Sequence, residues 1–233
     1  MTAVPPSSGT SRRKSPHAAI QLLIALGLQI ISMPFFAAMP DGDLIESILI
    51  TLVMIMSVRA VGGRRRTHLI ALALLLPALA GKWLNHFHHD LVSPLFYIAG
   101  AIVFFGFVVA HLLRFIVRSP RVDGNVLCAG VSGFLLLGML WVPAYMLVAG
   151  LNPAAFNLPA GSVMNGFNAF YFSFITLCTV GYGDISPASD GARTLAVLEA
   201  ITGLFYMAVL VSRLVSMHAS NHPVSNPTDD DAP

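Results

Sequence analysis

Apolar residues run almost unbroken through 17–39, 44–61, 67–84, 92–117, 125–149 and 191–217. A helix that crosses the hydrocarbon core of a bilayer needs about 20 mostly apolar residues. Each run therefore predicts a transmembrane helix. Polar and turn-forming stretches separate the runs: "PDGD" at 40–43, "GGRRR" at 62–66 and "SPRVDG" at 119–124. The interval between the last two runs is different. It holds a Pro/Gly/Asn-rich loop (150–166), then "FNAFYFSFITLC" (167–178), then "TVGYGD" (179–184). The middle piece makes roughly three helical turns, about 18 Å, too short to cross a bilayer. It predicts a half-helix that enters the membrane and turns back.

Composition sharpens this picture. Hydrophobic residues make up 56% of the 233 residues and charged residues 10%, with a mean hydropathy of +0.76. Soluble domains carry about 25% charge, so the expected fold class is an all-α integral membrane protein. The net charge of +2 gives no basis for a nucleic-acid partner. No hydrolase triad, phosphate loop or dinucleotide fingerprint is present, so no enzyme and no cofactor are expected. The two cysteines, Cys128 and Cys178, fall at different depths and predict no disulfide.

Lys and Arg concentrate on the cytoplasmic side of membrane proteins. With the N-terminus cytoplasmic, Arg12, Arg13, Lys14, Arg59, Arg64, Arg65, Arg66, Arg114, Arg118, Arg121 and Arg213 fall inside. Lys82 and Arg193 fall outside. Both termini are expected in the cytoplasm of a prokaryotic plasma membrane, and the arginines at 64–66 are placed to touch anionic lipid. "SRRK" before an apolar stretch also fits a signal peptide, but the run is long for a signal core and reads as a retained helix. The ends, 1–16 and 218–233, are Pro/Ser/Asp-rich and predict disorder.

Non-helical backbone at membrane depth survives only when buried in protein or lining a wet cavity. The C-terminus of the half-helix carries about half a negative charge and favours a cation before it. From there "TVGYG" returns to the surface in about 15 Å of extended chain. Left-handed Gly181 and Gly183 would let successive carbonyls aim the same way. Such a column replaces the hydration shell of a cation, and Thr179 can add its hydroxyl. One chain supplies one side of that column, so several must meet on an axis.

Thr179-Val180-Gly181-Tyr182-Gly183, followed by Asp184, resembles the selectivity filter of the potassium channel family. The resemblance extends from about residue 170 to 213, and loosely over 125–149. It implies a homotetramer in the lipid bilayer with K+ as permeant ion, bound at the carbonyls of Thr179, Val180, Gly181 and Tyr182. Six helices with the loop between the fifth and sixth imply the voltage-gated architecture. Residues 17–121 would then be a four-helix sensor-like domain and 122–217 the pore domain. Tyr171 and Phe172 stand where many members carry tryptophans. Tyr171 can donate to Asp184; Phe172 has no donor for Tyr182. Ile175 replaces the acidic residue that some members carry behind the filter.

On the last helix Gly203 falls at the family's hinge position, though close packing also explains a membrane glycine. Leu204, Met207 and Val211 share a face that would line the cavity, with Ser212 and Val215 nearer its mouth; the same stripe also fits core packing. Glu199 is an ionisable group well inside an apolar helix and needs a partner. It is expected to face the back of the half-helix and hydrogen-bond near Thr176.

A voltage sensor needs arginines through the middle of its helix. The fourth run has only His111, Arg114 and Arg118, all at one end. Weak or absent voltage dependence is expected; a voltage-modulated channel and a non-conducting regulatory subunit are the competing readings. "HFHHD" (His86–Asp90) has zinc or copper ligand types but reads first as a solvated loop.

Overall fold

A computed structural model describes residues 17–36, 42–61, 65–87, 94–119 and 123–219. The element order is α1 (Ala18–Phe36), α2 (Gly42–Val61), α3 (Arg65–Phe87), α4 (Pro94–Arg118), α5 (Gly124–Leu151), β1 (Phe156–Asn157), α6 (Gly166–Leu177), β2 (Ser186–Pro187) and α7 (Asp190–Ala219). Six of these helices are long and apolar enough to cross a membrane. The chain is a multi-pass, all-α membrane protein. Each long helix matches one apolar run, with ends shifted by a few residues. The 218–233 tail begins inside α7, which continues to Ala219. Residues 1–16, 37–41, 62–64, 88–93, 120–122 and 220–233 lie outside the described residues. That set includes Arg12, Arg13, Lys14, Arg64, Arg121 and the His88–Asp90 part of the histidine cluster.

The helices form in lipid because each satisfies its own backbone. Their ends show ordinary chemistry. The Asp123 carboxylate accepts from the Val126 amide at 2.8 Å and caps α5. Asn165 caps α6 by accepting from the Asn168 amide at 2.8 Å. Pro34, Pro77 and Pro143 lie within α1, α3 and α5.

Helices α1–α4 pack as a group, and α1 and α4 rest against α5. Leu22, Leu26, Phe104, Phe105, Leu136 and Met139 are buried along these contacts. On its far side α5 meets α6 and α7. This makes α5 the wall between the four-helix group and the segment that carries the filter-like loop. A two-residue antiparallel ladder pairs Phe156 with Pro187 and Asn157 with Ser186, joining the loop before α6 to the chain after "TVGYGD".

Small residues set the α5–α7 approach. The Tyr206 hydroxyl donates to the Gly130 carbonyl at 2.8 Å. A Cβ on Gly133 would collide with that hydroxyl, and one on Gly130 would sit 2.8 Å from Leu210 Cδ1. Gly133→Ala is therefore expected to destabilise the detergent-solubilised protein by about 1–3 kcal/mol, the usual cost of overpacking. Tyr206→Phe removes the colliding oxygen, so the double variant should lose less than the sum of the two single losses. Additive losses in thermal unfolding would show that this contact does not set the spacing.

Candidate ion-conducting site

Helix α6 is 12 residues long, about 18 Å by helical rise. Its last turn does more than end a helix. The Ile175 carbonyl accepts from the Val180 amide at 2.8 Å and from the Gly181 amide at 3.2 Å. The Thr176 carbonyl accepts from the Thr179 amide at 3.0 Å, and Phe174 from Cys178 at 3.0 Å. The loop's amides thus turn back onto the helix. Among the described residues, no hydrogen bond reaches the carbonyls of Thr179 through Gly183. The first three amides of the loop are paired, and its carbonyls have no protein partner among the described residues.

The backbone angles follow the same logic. Thr179, Gly181 and Gly183 have φ of 57°, 55° and 82°. The sequence pointed to the two glycines. It did not point to Thr179, which is β-branched and strained in the left-handed region. A non-glycine residue held there is stored strain of the kind that clusters at functional sites. Left-handed residues alternating with Val180 and Tyr182 give a chain whose successive carbonyls can share one side. A Cβ on Gly181 or Gly183 would meet nothing within 4 Å, so glycine is needed here for conformation and not for space.

The far end of the loop is anchored. The Ala155 carbonyl accepts from the Ala188 amide at 2.8 Å and the Ser189 amide at 3.1 Å. The Tyr171 hydroxyl donates to the Asp184 carboxylate. Phe172 is buried and turned away into an aromatic cluster, with ring centroids 4.8 Å from Tyr145 and 5.6 Å from Phe156.

Glu199 is fully buried behind α6. Its hydrogen-bond partners are Ser173 and Tyr145, where the sequence reading named the neighbourhood of Thr176. Ser173 lies one turn earlier on α6 and presents its hydroxyl at 2.6 Å from Glu199 Oε1. The Tyr145 hydroxyl donates to Oε2. Ser173 Oγ also reaches the Gly138 carbonyl at 2.9 Å. One carboxyl thereby joins α5, α6 and α7. Tyr145 and Ser173 were legible in principle, as polar residues inside apolar helices near a charge that needs partners. The Thr179 strain and the β1–β2 ladder had no sequence signal, since a two-residue strand has no period.

Gly203 meets the end of α6: a Cβ there would lie 2.7 Å from Leu177 Cδ1 and 2.9 Å from the Leu177 carbonyl oxygen. That close approach calls for glycine. Leu204, Met207, Val211 and Val215 are exposed along α7, as are Val180 and Tyr182 in the loop. On α4, Arg114 and Arg118 are exposed in the last turns, and His111 stacks on Phe107. His86 packs edge-on to Trp83 and Phe87. No group of three or more potential metal ligands forms among the described residues.

A family profile described as "Ion channel" matches residues 135–219, the span from mid-α5 to the end of α7. The chain is similar to two pore potassium channel c of Oryza sativa subsp. japonica, 38% identical over 28% of this chain and 14% of that protein. It is similar to a hyperpolarization-activated voltage-gated potassium channel of Methanocaldococcus jannaschii, 32% identical over 35% of this chain and 32% of that protein. It is also similar to the voltage-gated potassium channel Kch of Escherichia coli, 33% identical over 42% of this chain and 21% of that protein. The chain thus spans a third or less of the length of these relatives. No solved structure matches.

The Glu199 network generates a graded expectation. Glu199→Ala strands the buried Tyr145 hydroxyl, at about 1–3 kcal/mol for the unsatisfied group, while Ser173 keeps the Gly138 carbonyl as its partner. Glu199→Gln can still accept from Tyr145 and donate to Ser173, freeing Ser173 to donate to Gly138. Thermal unfolding should therefore fall clearly for the alanine variant and little for the glutamine variant. Equal losses would mean that charge, and not the hydrogen-bond pattern, is what the site needs.

Proposed function

We propose that four copies of this chain surround one axis and form a potassium-selective pore. The observation that carries this reading is the Thr179–Gly183 loop. The amides of Thr179, Val180 and Gly181 are tied back to α6 while the loop's carbonyls have no protein partner among the described residues, and its φ values alternate in sign. A dehydrated K+ would exchange water for the carbonyl oxygens of Thr179, Val180, Gly181 and Tyr182. Several adjacent sites would let ions repel one another forward. The negative end of the α6 dipole would favour the cation as it arrives from the cavity. Asp184, held by Tyr171, and the Glu199 network would brace the loop from outside and behind. The named function of the matched relatives, potassium channels, supports the choice of ion.

The number four rests on the resemblance of the loop to the potassium channel filter. One loop supplies one wall. Tyr182 is 73% exposed and Val180 50% exposed in the isolated chain, surfaces that neighbouring copies would cover. Leu204, Met207, Val211 and Val215 would face the cavity or adjacent copies, with Ser212 beside them near the mouth. Residues 17–121 would form a peripheral domain and 122–217 the pore domain. We assign the termini to the cytoplasm and the protein to a prokaryotic plasma membrane.

The flux experiment is direct. Purified chain in liposomes should pass K+ well ahead of Na+. Gly181→Ala forces a Cβ into left-handed backbone at about 1–2 kcal/mol, and four such strains per pore should cut K+ flux by at least about tenfold. Equal K+ and Na+ flux, or an alanine variant as active as the parent, would refute selective conduction through this loop. A silent parent would favour a regulatory subunit.

The peripheral domain leads to a second expectation. Steep voltage gating needs about 3–4 charges per subunit moving through the field, and the α4 arginines lie at its end. Conductance in planar bilayers should change only shallowly from about −100 to about +100 mV. A steep curve would mean that other charges cross the field.

A further inference from the structure

At the membrane face that carries the 152–165 loop, the four-helix group brings unusual chemistry to one corner. Glu46 of α2, Lys82 of α3 and Tyr97 of α4 line a cavity of about 110 Å³, floored by Met33, Met54 and Met139 and closed at one side by Gly166 of α6. Glu46 is the fifth residue of its helix, Tyr97 the fourth, and Lys82 lies five residues from the end. All three thus sit within about 8 Å of a helix end, the depth at which lipid headgroups meet hydrocarbon.

Glu46 and Lys82 do not neutralise each other by contact. Among the described residues the one ion pair is Arg193–Asp190 at 3.6 Å. Opposite charges therefore face the same cavity without a direct bridge. Beside them, Gln29 is fully buried, and neither its amide oxygen nor its nitrogen has a protein partner. It lines a smaller cavity of about 20 Å³ that shares Glu46 and Met33 with the larger one. Partly buried charges and an unpartnered amide at membrane depth are costly unless something polar meets them.

We propose that this corner binds the headgroup of a phospholipid bearing a primary ammonium. The ammonium would donate to the Glu46 carboxylate, the phosphate would accept from Lys82 and Tyr97, and an acyl chain would lie along the methionines. Asp43 lines the smaller cavity beside Glu46, so two carboxylates stand against Lys82; a lipid ammonium offsets that excess, whereas an anionic lipid would face like charge. A methylene surface fits the floor, because methionine adapts to irregular apolar shapes. The site also touches α6. A Cβ on Gly166 would lie 3.2 Å from Glu46 Oε1, so the lipid headgroup would brace the first turn of the filter-bearing helix. Lipid binding itself does not depend on whether the loop conducts.

Native mass spectrometry of the purified full chain tests this with defined probes. The protein is delipidated in detergent and given dioleoyl phosphatidylethanolamine or dioleoyl phosphatidylglycerol. The unmodified chain should retain the ethanolamine lipid in preference to the glycerol lipid by about tenfold. Glu46→Gln should erase that preference, Lys82→Gln should lower retention of both lipids, and Arg114→Gln, at the far end of α4, should change neither. Equal retention of both lipids by the unmodified chain would overturn the proposal without any variant being needed. Preserved preference in the Glu46 variant, or undiminished retention in the Lys82 variant, would overturn it as well.

Discussion

Everything in the second half of the chain answers to one constraint: a backbone amide or carbonyl inside the hydrocarbon must be paired or must face a wet cavity. The chain leaves helical geometry at Cys178 and must still satisfy that rule. It does so unequally. The amides of Thr179, Val180 and Gly181 return to Thr176 and Ile175, while the carbonyls from Thr179 to Gly183 are left for something else. The proposed cation pathway rests on this asymmetry between donors and acceptors. The left-handed angles at Thr179, Gly181 and Gly183 are the conformational cost of holding it.

Such a loop keeps its shape only if its supports are stiff. Behind it, the Glu199 carboxyl is shared by Ser173 and Tyr145, and Phe172 is wedged between Tyr145 and Phe156. At its exit, the Ala155 carbonyl and the short ladder fix the chain before α7. Support thus comes from polar contacts buried where water cannot compete, which makes each of them stronger and each loss more damaging.

The sequence carried the architecture well, because membrane helices are read from hydropathy alone. It carried the short helix and the loop for the same reason: twelve apolar residues followed by glycines cannot span. Side-chain partners were less legible. Glu199 was recognisable as a charge in need of company, yet choosing Ser173 over Thr176 depends on which face of α6 meets α7, and one turn of helix decides that. Nothing in the local sequence marks Glu46, the fifth residue of α2, as part of a site. Its closeness to Gly166 is a long-range approach between the four-helix group and the start of α6, for which no local pattern exists. Thr179 was assigned by its hydroxyl, whereas its backbone turned out to be the strained element.

The hook formed by Tyr206 over Gly130 and Gly133 has a mechanical consequence. Helix α7 is pinned at Glu199 by the carboxyl network and at Gly203 by Leu177. Below these it is held at Tyr206 and Leu210 by α5. A rod clamped at four successive points has its fulcrum past the last clamp. Any bend of α7 before Leu210 would have to break these contacts, and beyond Leu210 the Arg213 guanidinium donates to the Ser119 carbonyl at 2.7 Å, which ties the last arm of the rod to the end of α4.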